Sequence, residues 1–153
     1  MSAAPQPIAR PPRLYVSALG VAMLAHWRCP WSLSLALVWR GVLATPLLLG
    51  GAALVWAAFA TLRRAHTTGH PSQPNHALVT HGPFAWSRNP VYVAMSALYL
   101  GLALLLGSIW PLVAALPLWL LMHYGVVLRE EAYLLRRFGQ EYARYQQHAP
   151  RWL

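Results

Sequence analysis

The sequence predicts an all-α integral membrane bundle of about four transmembrane helices followed by a C-terminal amphipathic helix. Three observations carry this expectation. First, 58% of the 153 residues are hydrophobic and only 10% are charged, far below the roughly 25% charge of an ordinary soluble domain. Second, the apolar residues fall in long runs broken by Arg, Pro and Gly, and a helix satisfies every backbone polar group of such a run inside hydrocarbon. Third, all twelve basic residues are Arg, and the three carboxylates, Glu130, Glu131 and Glu141, lie together late in the chain. Charge is thus separated from the apolar runs, and residues 1–153 read as a single membrane domain.

Residues 1–12, rich in proline and small side chains, are expected to form a flexible tail, because too little apolar surface is present to offset chain ordering. Two N-terminal helices are expected within 14–62. The run 14–25 is short for a crossing and has no small-x-small cleavage pattern, so it reads as a retained first helix and not as a signal peptide. Around 26–30 an interfacial turn is expected, with Trp27 and Trp31 suited to the head-group level. Residues 41–62 contain no charge; at the helical rise they extend about 33 Å, enough to cross a bilayer despite Pro46 and the Gly50, Gly51 pair. Arg63 and Arg64 stop that run.

Residues 63–90 are polar and punctuated by Pro71, Pro74, Gly82 and Pro83, which makes them a structured loop outside the hydrocarbon. Two further apolar runs, 91–109 and 111–128, are joined by a short uncharged connection and form a helical hairpin. Residues 129–145 carry Leu134, Leu135, Phe138, Tyr142 and Tyr145 at amphipathic spacing, so a surface-lying helix is expected, broken or bent near Gly139.

Four crossings place ten arginines on one face and only Arg28 and Arg40 on the other. The positive-inside rule then puts both termini and the 63–90 loop in the cytoplasm, with a bacterial inner membrane as the expected location. A net charge of +9 points to anionic lipid head groups and not to nucleic acid, since the arginines flank apolar runs and form no aromatic-interleaved stripe. The single cysteine, Cys29, excludes an internal disulfide and a cysteine-based zinc site. No phosphate-binding Walker loop, dinucleotide glycine fingerprint or internal repeat is present.

Two polar constellations interrupt the apolar background. In Ser87-Arg88-Asn89-Pro90, Asn89 suits a helix N-cap and Pro90 the first helical turn. Arg88 adds a guanidinium to a helix N-terminus, a combination suited to a carboxylate or phosphate. Glu130 and Glu131 follow Leu128 at the expected end of the fourth crossing, where the helix dipole disfavours anions. They either pair with Arg88 or Arg129, or accept hydrogen bonds from a ligand. His66 and His70 sit four residues apart with His76 and His81 nearby, yet prolines interrupt the segment and no carboxylate accompanies them, so no metal is expected. The role of His123, within the fourth apolar run, stays open.

The motif Arg88-Asn89-Pro90-Val91-Tyr92, then Arg129-Glu130-Glu131, then Leu135-Arg136-Arg137-Phe138-Gly139 and Glu141-Tyr142-Ala143-Arg144-Tyr145 resembles the isoprenylcysteine carboxyl methyltransferase and phospholipid methyltransferase superfamily. Leu78-Val79-Thr80-His81-Gly82-Pro83-Phe84 extends the resemblance upstream. It implies an integral membrane methyltransferase that uses S-adenosylmethionine and acts on a lipidic or isoprenoid-type acceptor entering from the bilayer. By position it implies a cofactor pocket made from His76, Leu78, Val79, Gly82, Arg88, Asn89, Pro90, Tyr92, Glu130 and Glu131, with Arg88, Glu130 and Glu131 at the reaction centre. Residues 91–153 would then be the cofactor-binding hairpin and C-terminal segment. Asn89 departs from the His of the eukaryotic prenylcysteine enzymes, which leaves the acceptor group open among carboxylate, amine and thiol.

Two other readings compete. One is a non-enzymatic membrane subunit in which Arg88, Glu130 and Glu131 form a structural ion-pair network. The other is a sterol-type membrane reductase, for which the chain is short.

Overall fold

The computed structural model describes residues 10–65 and 77–153. Its elements are α1 (Pro11–Arg28), α2 (Leu37–Arg64), a 3-10 turn (Gly82–Ala85), α3 (Pro90–Leu106), α4 (Ile109–Met122), a π-helical turn (His123–Val127), α5 (Leu128–Phe138) and α6 (Gln140–His148). Apart from one isolated bridge between Ser32 and Ser108, the described residues have helices and no strands.

Helix α1 starts at Pro11, inside the stretch expected to be tail, because proline is pre-organised for the first helical turn and its missing N–H is not needed there. It continues through His26 and Trp27, so the expected turn begins only at Cys29, whose N–H bonds the Ala25 carbonyl. Helix α2 extends the 41–62 run at both ends and keeps Pro46 inside it.

Helices α2 and α3 pack through small residues. A Cβ at Gly51 would lie 2.9 Å from Leu98 Cγ, and one at Gly101 would lie 2.8 Å from Leu48 Cγ. Ala44, Ala58, Ala94 and Ala103 are fully buried. Small side chains let helix backbones approach closely where no hydrophobic effect drives association, as in lipid.

The α3–α4 connection is tight, as the sequence implies. Gly107 takes a left-handed conformation at φ 65°, and the Ser108 hydroxyl accepts the Trp110 N–H to cap α4. The α1–α2 link is pinned onto this turn by Leu33 N–H to Gly107 O at 2.7 Å and Ile109 N–H to Trp31 O at 3.0 Å. Arg40 packs its guanidinium on Gly107 and donates through Nε to Leu35 O at 2.8 Å. Arg28 and Arg40 therefore sit at the end of the bundle away from Arg63, Arg64 and Arg88.

The helix of the fourth apolar run does not stop where that run ends, at residue 128. Helical structure runs from Ile109 to Phe138, because no proline or glycine lies between Gly125 and Gly139 and the π turn absorbs one extra residue. Glu130 and Glu131 consequently lie in the body of a helical run, and the dipole cost expected for carboxylates at a C-terminus does not arise. The extra residue also rotates everything after it by about 100° about the axis. The break near Gly139 is present, with φ 52° between α5 and α6.

Among the described residues, Leu37–Arg64 and Ile109–Phe138 are long and apolar enough to cross a membrane, and Pro90–Leu106 is a shorter apolar helix. Only 17% of the apolar window of α2 is buried, and Val38, Leu49 and Trp56 project outward. An apolar helix that leaves its large side chains uncovered suits a lipid surround better than a water-soluble core. The inner packing centres on Tyr15, Tyr92, Tyr99, Leu118, Met122, Val126 and Val127, and a smaller cluster joins Tyr142, Tyr145 and Ala149 to Leu78 and Phe84.

Candidate functional site

At the Arg-rich end of the bundle a cleft of about 80 Å³ opens between the end of α2, residues 77–84, the start of α3, and helices α5 and α6. Leu78, Val79, Arg88, Asn89, Pro90, Tyr92, Glu130 and Glu131 all line it. The fold therefore gathers into one cleft side chains from two motifs some forty residues apart. Gly82 is not among the lining residues; it turns the chain at φ 63° with its Cα side against Thr61 Oγ1. His66, His70 and His76 lie outside the described residues.

The two glutamates have different partners. Glu131 is buried and is held by Arg151, whose Nε lies 3.1 Å from both carboxylate oxygens and whose Nη2 lies 2.9 Å from Oε2. Arg88 approaches the same carboxylate with Nη1 3.3 Å from Oε1. Among the described residues Glu130 has no guanidinium hydrogen-bond partner and instead accepts the Tyr92 hydroxyl at 2.9 Å. The sequence leaves both glutamates free to pair with Arg88 or Arg129 or to bind a ligand, and the structure brings Arg88 to Glu131, whereas the sequence motifs do not include Arg151. Its only local signal was an arginine between Pro150 and Trp152, twenty residues beyond its partner.

Arg88 is the least satisfied group in the cleft. Its side chain is 9% exposed, and among the described residues its buried Nε has no partner and its buried Nη1 has only the 3.3 Å ionic contact, without a hydrogen bond. Buried donors in this state ordinarily cost about 1–3 kcal/mol each, more when charged, and a ligand oxygen would remove that cost.

The N-cap role expected for the Asn89 side chain is corrected. Asn89 does precede α3, but its side chain makes no capping bond. Its Nδ2 donates to Arg151 O at 2.9 Å, and its own N–H is received by Ser87 Oγ at 3.1 Å. Arg88 N–H bonds Pro150 O at 2.9 Å. With Pro90 supplying no N–H at the first helical position, the amide does more by holding residues 149–153 across the mouth of α3.

Helix α6 closes another wall. The Tyr145 hydroxyl donates to Phe84 O at 2.6 Å, and Tyr142 is almost wholly buried. Burial, reinforced by the Glu131 charge, raises the Tyr142 phenol above its ordinary pKa against the opposing effect of Arg88, so it is a neutral hydroxyl. The hydrogen bonds to Glu131 raise the pKa of Arg151. His123, left open by the sequence, accepts the Trp152 indole N–H on Nδ1 at 3.2 Å and stacks on Trp119 at 5.2 Å.

A family model described as phospholipid methyltransferase matches residues 39–141. The chain is similar to the protein-S-isoprenylcysteine O-methyltransferase of Schizosaccharomyces pombe, with 34% identity over 87 residues, covering 56% of this chain and 36% of the relative. It is also similar to the protein of the same name from Tribolium castaneum, with 38% identity over 74 residues, covering 48% of this chain and 26% of the relative. The match thus spans about a third and about a quarter of the lengths of these two relatives. No solved structure matches the chain.

Proposed function

The chain belongs to the phospholipid methyltransferase family, and from that premise we propose that it is an integral membrane methyltransferase that uses S-adenosylmethionine and acts on a lipidic or isoprenoid-type acceptor. The observation that carries this reading is Arg88, a buried guanidinium with unbonded donors in a cleft it shares with two carboxylates.

The residues present fit that cofactor in chemistry. The free donors of Arg88 suit a carboxylate, Glu130 suits an ammonium or ribose hydroxyls, and Leu62, Phe84 and Leu134 offer apolar surface to a purine. Small-molecule sites usually enclose about 300–1,000 Å³, so a cleft of about 80 Å³ has to widen to admit a nucleoside. When bound, S-adenosylmethionine supplies a methyl group that its sulfonium already makes electrophilic.

The protein is left with alignment, exclusion of water and proton management. A carboxylate acceptor has no proton to lose, and Arg88 would neutralise its charge or that of the cofactor. An amine or thiol acceptor has to give up a proton, and among the described residues Glu130 is the cleft carboxylate not bonded to an arginine, so it would take that proton. The segregation of arginines supports an active site and both termini on the cytoplasmic side, with a bacterial inner membrane as the proposed location.

Calorimetric titration of the detergent-purified protein with S-adenosylmethionine tests the reading, followed by transfer of a radiolabelled methyl group to membrane lipid extract. Binding and a labelled lipid product are expected; no heat of binding at millimolar cofactor would sink it. The Arg88, Glu131 and Arg151 network equally suits a structural membrane subunit, which predicts folding without any cofactor binding.

A further inference from the structure

Resting on the cofactor reading above, we infer that Arg151 is a positioning residue: by occupying Glu131 it keeps Arg88 free to receive the carboxylate of the cofactor's amino-acid moiety. Glu131 has two oxygens and two arginines competing for them. Arg151 bonds both oxygens through Nε and adds a third bond, from Nη2 to Oε2, the fork geometry that makes arginine–carboxylate pairs strong. Arg88 is left with one ionic contact, from Nη1 at 3.3 Å, and an interaction with the Tyr142 hydroxyl, while among the described residues its Nε has no partner and its Nη1 makes no hydrogen bond. Two guanidinium groups share the Glu131 carboxylate, and the other carboxylate of the cleft, Glu130, is met by the Tyr92 hydroxyl, so the incompletely bonded guanidinium is Arg88, whose side chain is 9% exposed and lines the cleft. Without the Arg151 side chain, Arg88 is the one guanidinium among the described residues still paired with Glu131; it can then take both oxygens, and its donors turn away from a ligand.

The Arg151 side chain is separable from the fold of its segment. Residues 149–153 are anchored by main-chain and other side-chain bonds: Arg88 N–H to Pro150 O, Asn89 Nδ2 to Arg151 O and the Trp152 indole to His123. Its side chain is 35% exposed, so truncation opens no cavity in the core.

The test is calorimetry on detergent-purified wild-type, Arg151→Ala and Arg151→Lys proteins. S-adenosylhomocysteine, which carries the carboxylate, is compared with methylthioadenosine, which lacks it. Arg151→Ala is expected to weaken S-adenosylhomocysteine about tenfold or more, the effect of one charge-assisted hydrogen bond. Methylthioadenosine binding should stay within twofold, and Arg151→Lys should recover part of the loss because a single ammonium engages Glu131 without the fork. In turnover, KM for S-adenosylmethionine should rise with kcat near wild type.

Equal weakening of both ligands, or unchanged S-adenosylhomocysteine binding, overturns the inference while leaving the methyltransferase reading intact. Absence of binding to the wild type removes both. If Arg151→Ala does not fold, Arg151→Lys carries the same comparison: selective weakening of the carboxylate ligand supports the role and unselective weakening or none rejects it.

Discussion

Tyr92 in the first turn of α3 donates its hydroxyl to Glu130 Oε2 of α5 at 2.9 Å across 38 residues of chain, while Arg88, four residues earlier, contacts the adjacent Glu131. Neighbouring carboxylates are thereby given separate chemistry. Glu131 is neutralised by guanidinium groups, and Glu130 is met by a neutral donor that still leaves it able to exchange a proton or bind a hydroxyl.

Tyr92→Phe and Glu130→Gln should separate stability from activity. Losing the phenol removes one hydrogen bond and is expected to cost about 1 kcal/mol. Glu130→Gln keeps an acceptor for Tyr92 and should stay near wild type in thermal unfolding, yet reduce methyl transfer by about tenfold or more if the carboxylate takes a proton. Detergent-phase melting and a labelled-methyl assay read the two effects; wild-type turnover by Glu130→Gln would remove that role.

Removing opposite members of the ion-pair group should have unequal effects. Arg88→Ala leaves Glu131 still held by Arg151, so a loss of about 1–2 kcal/mol is expected, with cofactor binding abolished. Glu131→Gln leaves a buried guanidinium without its counter-charge and should cost more, on the order of 3–5 kcal/mol. Chemical denaturation of both variants decides the order, and an equal loss would contradict the asymmetry.

Asn89→Asp distinguishes the cap expected from sequence from the bond observed. Aspartate is as good an N-cap as asparagine, so a capping role predicts little change. The observed donation to Arg151 O would instead become a contact between two acceptors, and a loss of about 1–3 kcal/mol is expected. Proteolytic susceptibility of residues 149–153 should rise with it; a variant as resistant as wild type would favour the cap.

The α2–α3 contact predicts opposite outcomes at adjacent glycines. Gly51→Ala places a methyl 2.9 Å from Leu98 Cγ and 3.0 Å from Ala94 O, whereas Gly50→Ala meets nothing within 4 Å. The first should cost about 1–3 kcal/mol by overpacking, and the second should be neutral or slightly stabilising, since alanine orders a helix at less entropic cost than glycine. Melting temperatures of the two single variants provide the check.

Much of the site was legible because its members sit in short motifs with local meaning. Arg88 beside a helix-starting proline, and two glutamates at the edge of an apolar run, are polar groups that lipid would otherwise exclude. The turn at Gly107 and the break at Gly139 were legible too, since backbone conformations at positive φ belong largely to glycine. Arg151 was not, because nothing in its local sequence links it to Glu131, and local rules point the Asn89 side chain to a cap because they cannot see a carbonyl 62 residues away.

Sequence alone determined that this chain is helical and apolar, and which polar side chains stand apart from its hydrocarbon-compatible runs, because hydropathy, proline and glycine act on their own neighbourhood. Tertiary structure alone decided which carboxylate meets which guanidinium. That choice depends on the rotation introduced by the π turn at His123–Val127 and on the docking of residues 149–153 against the start of α3. Both arise from packing between segments far apart in the chain, where orientation is set by the whole bundle.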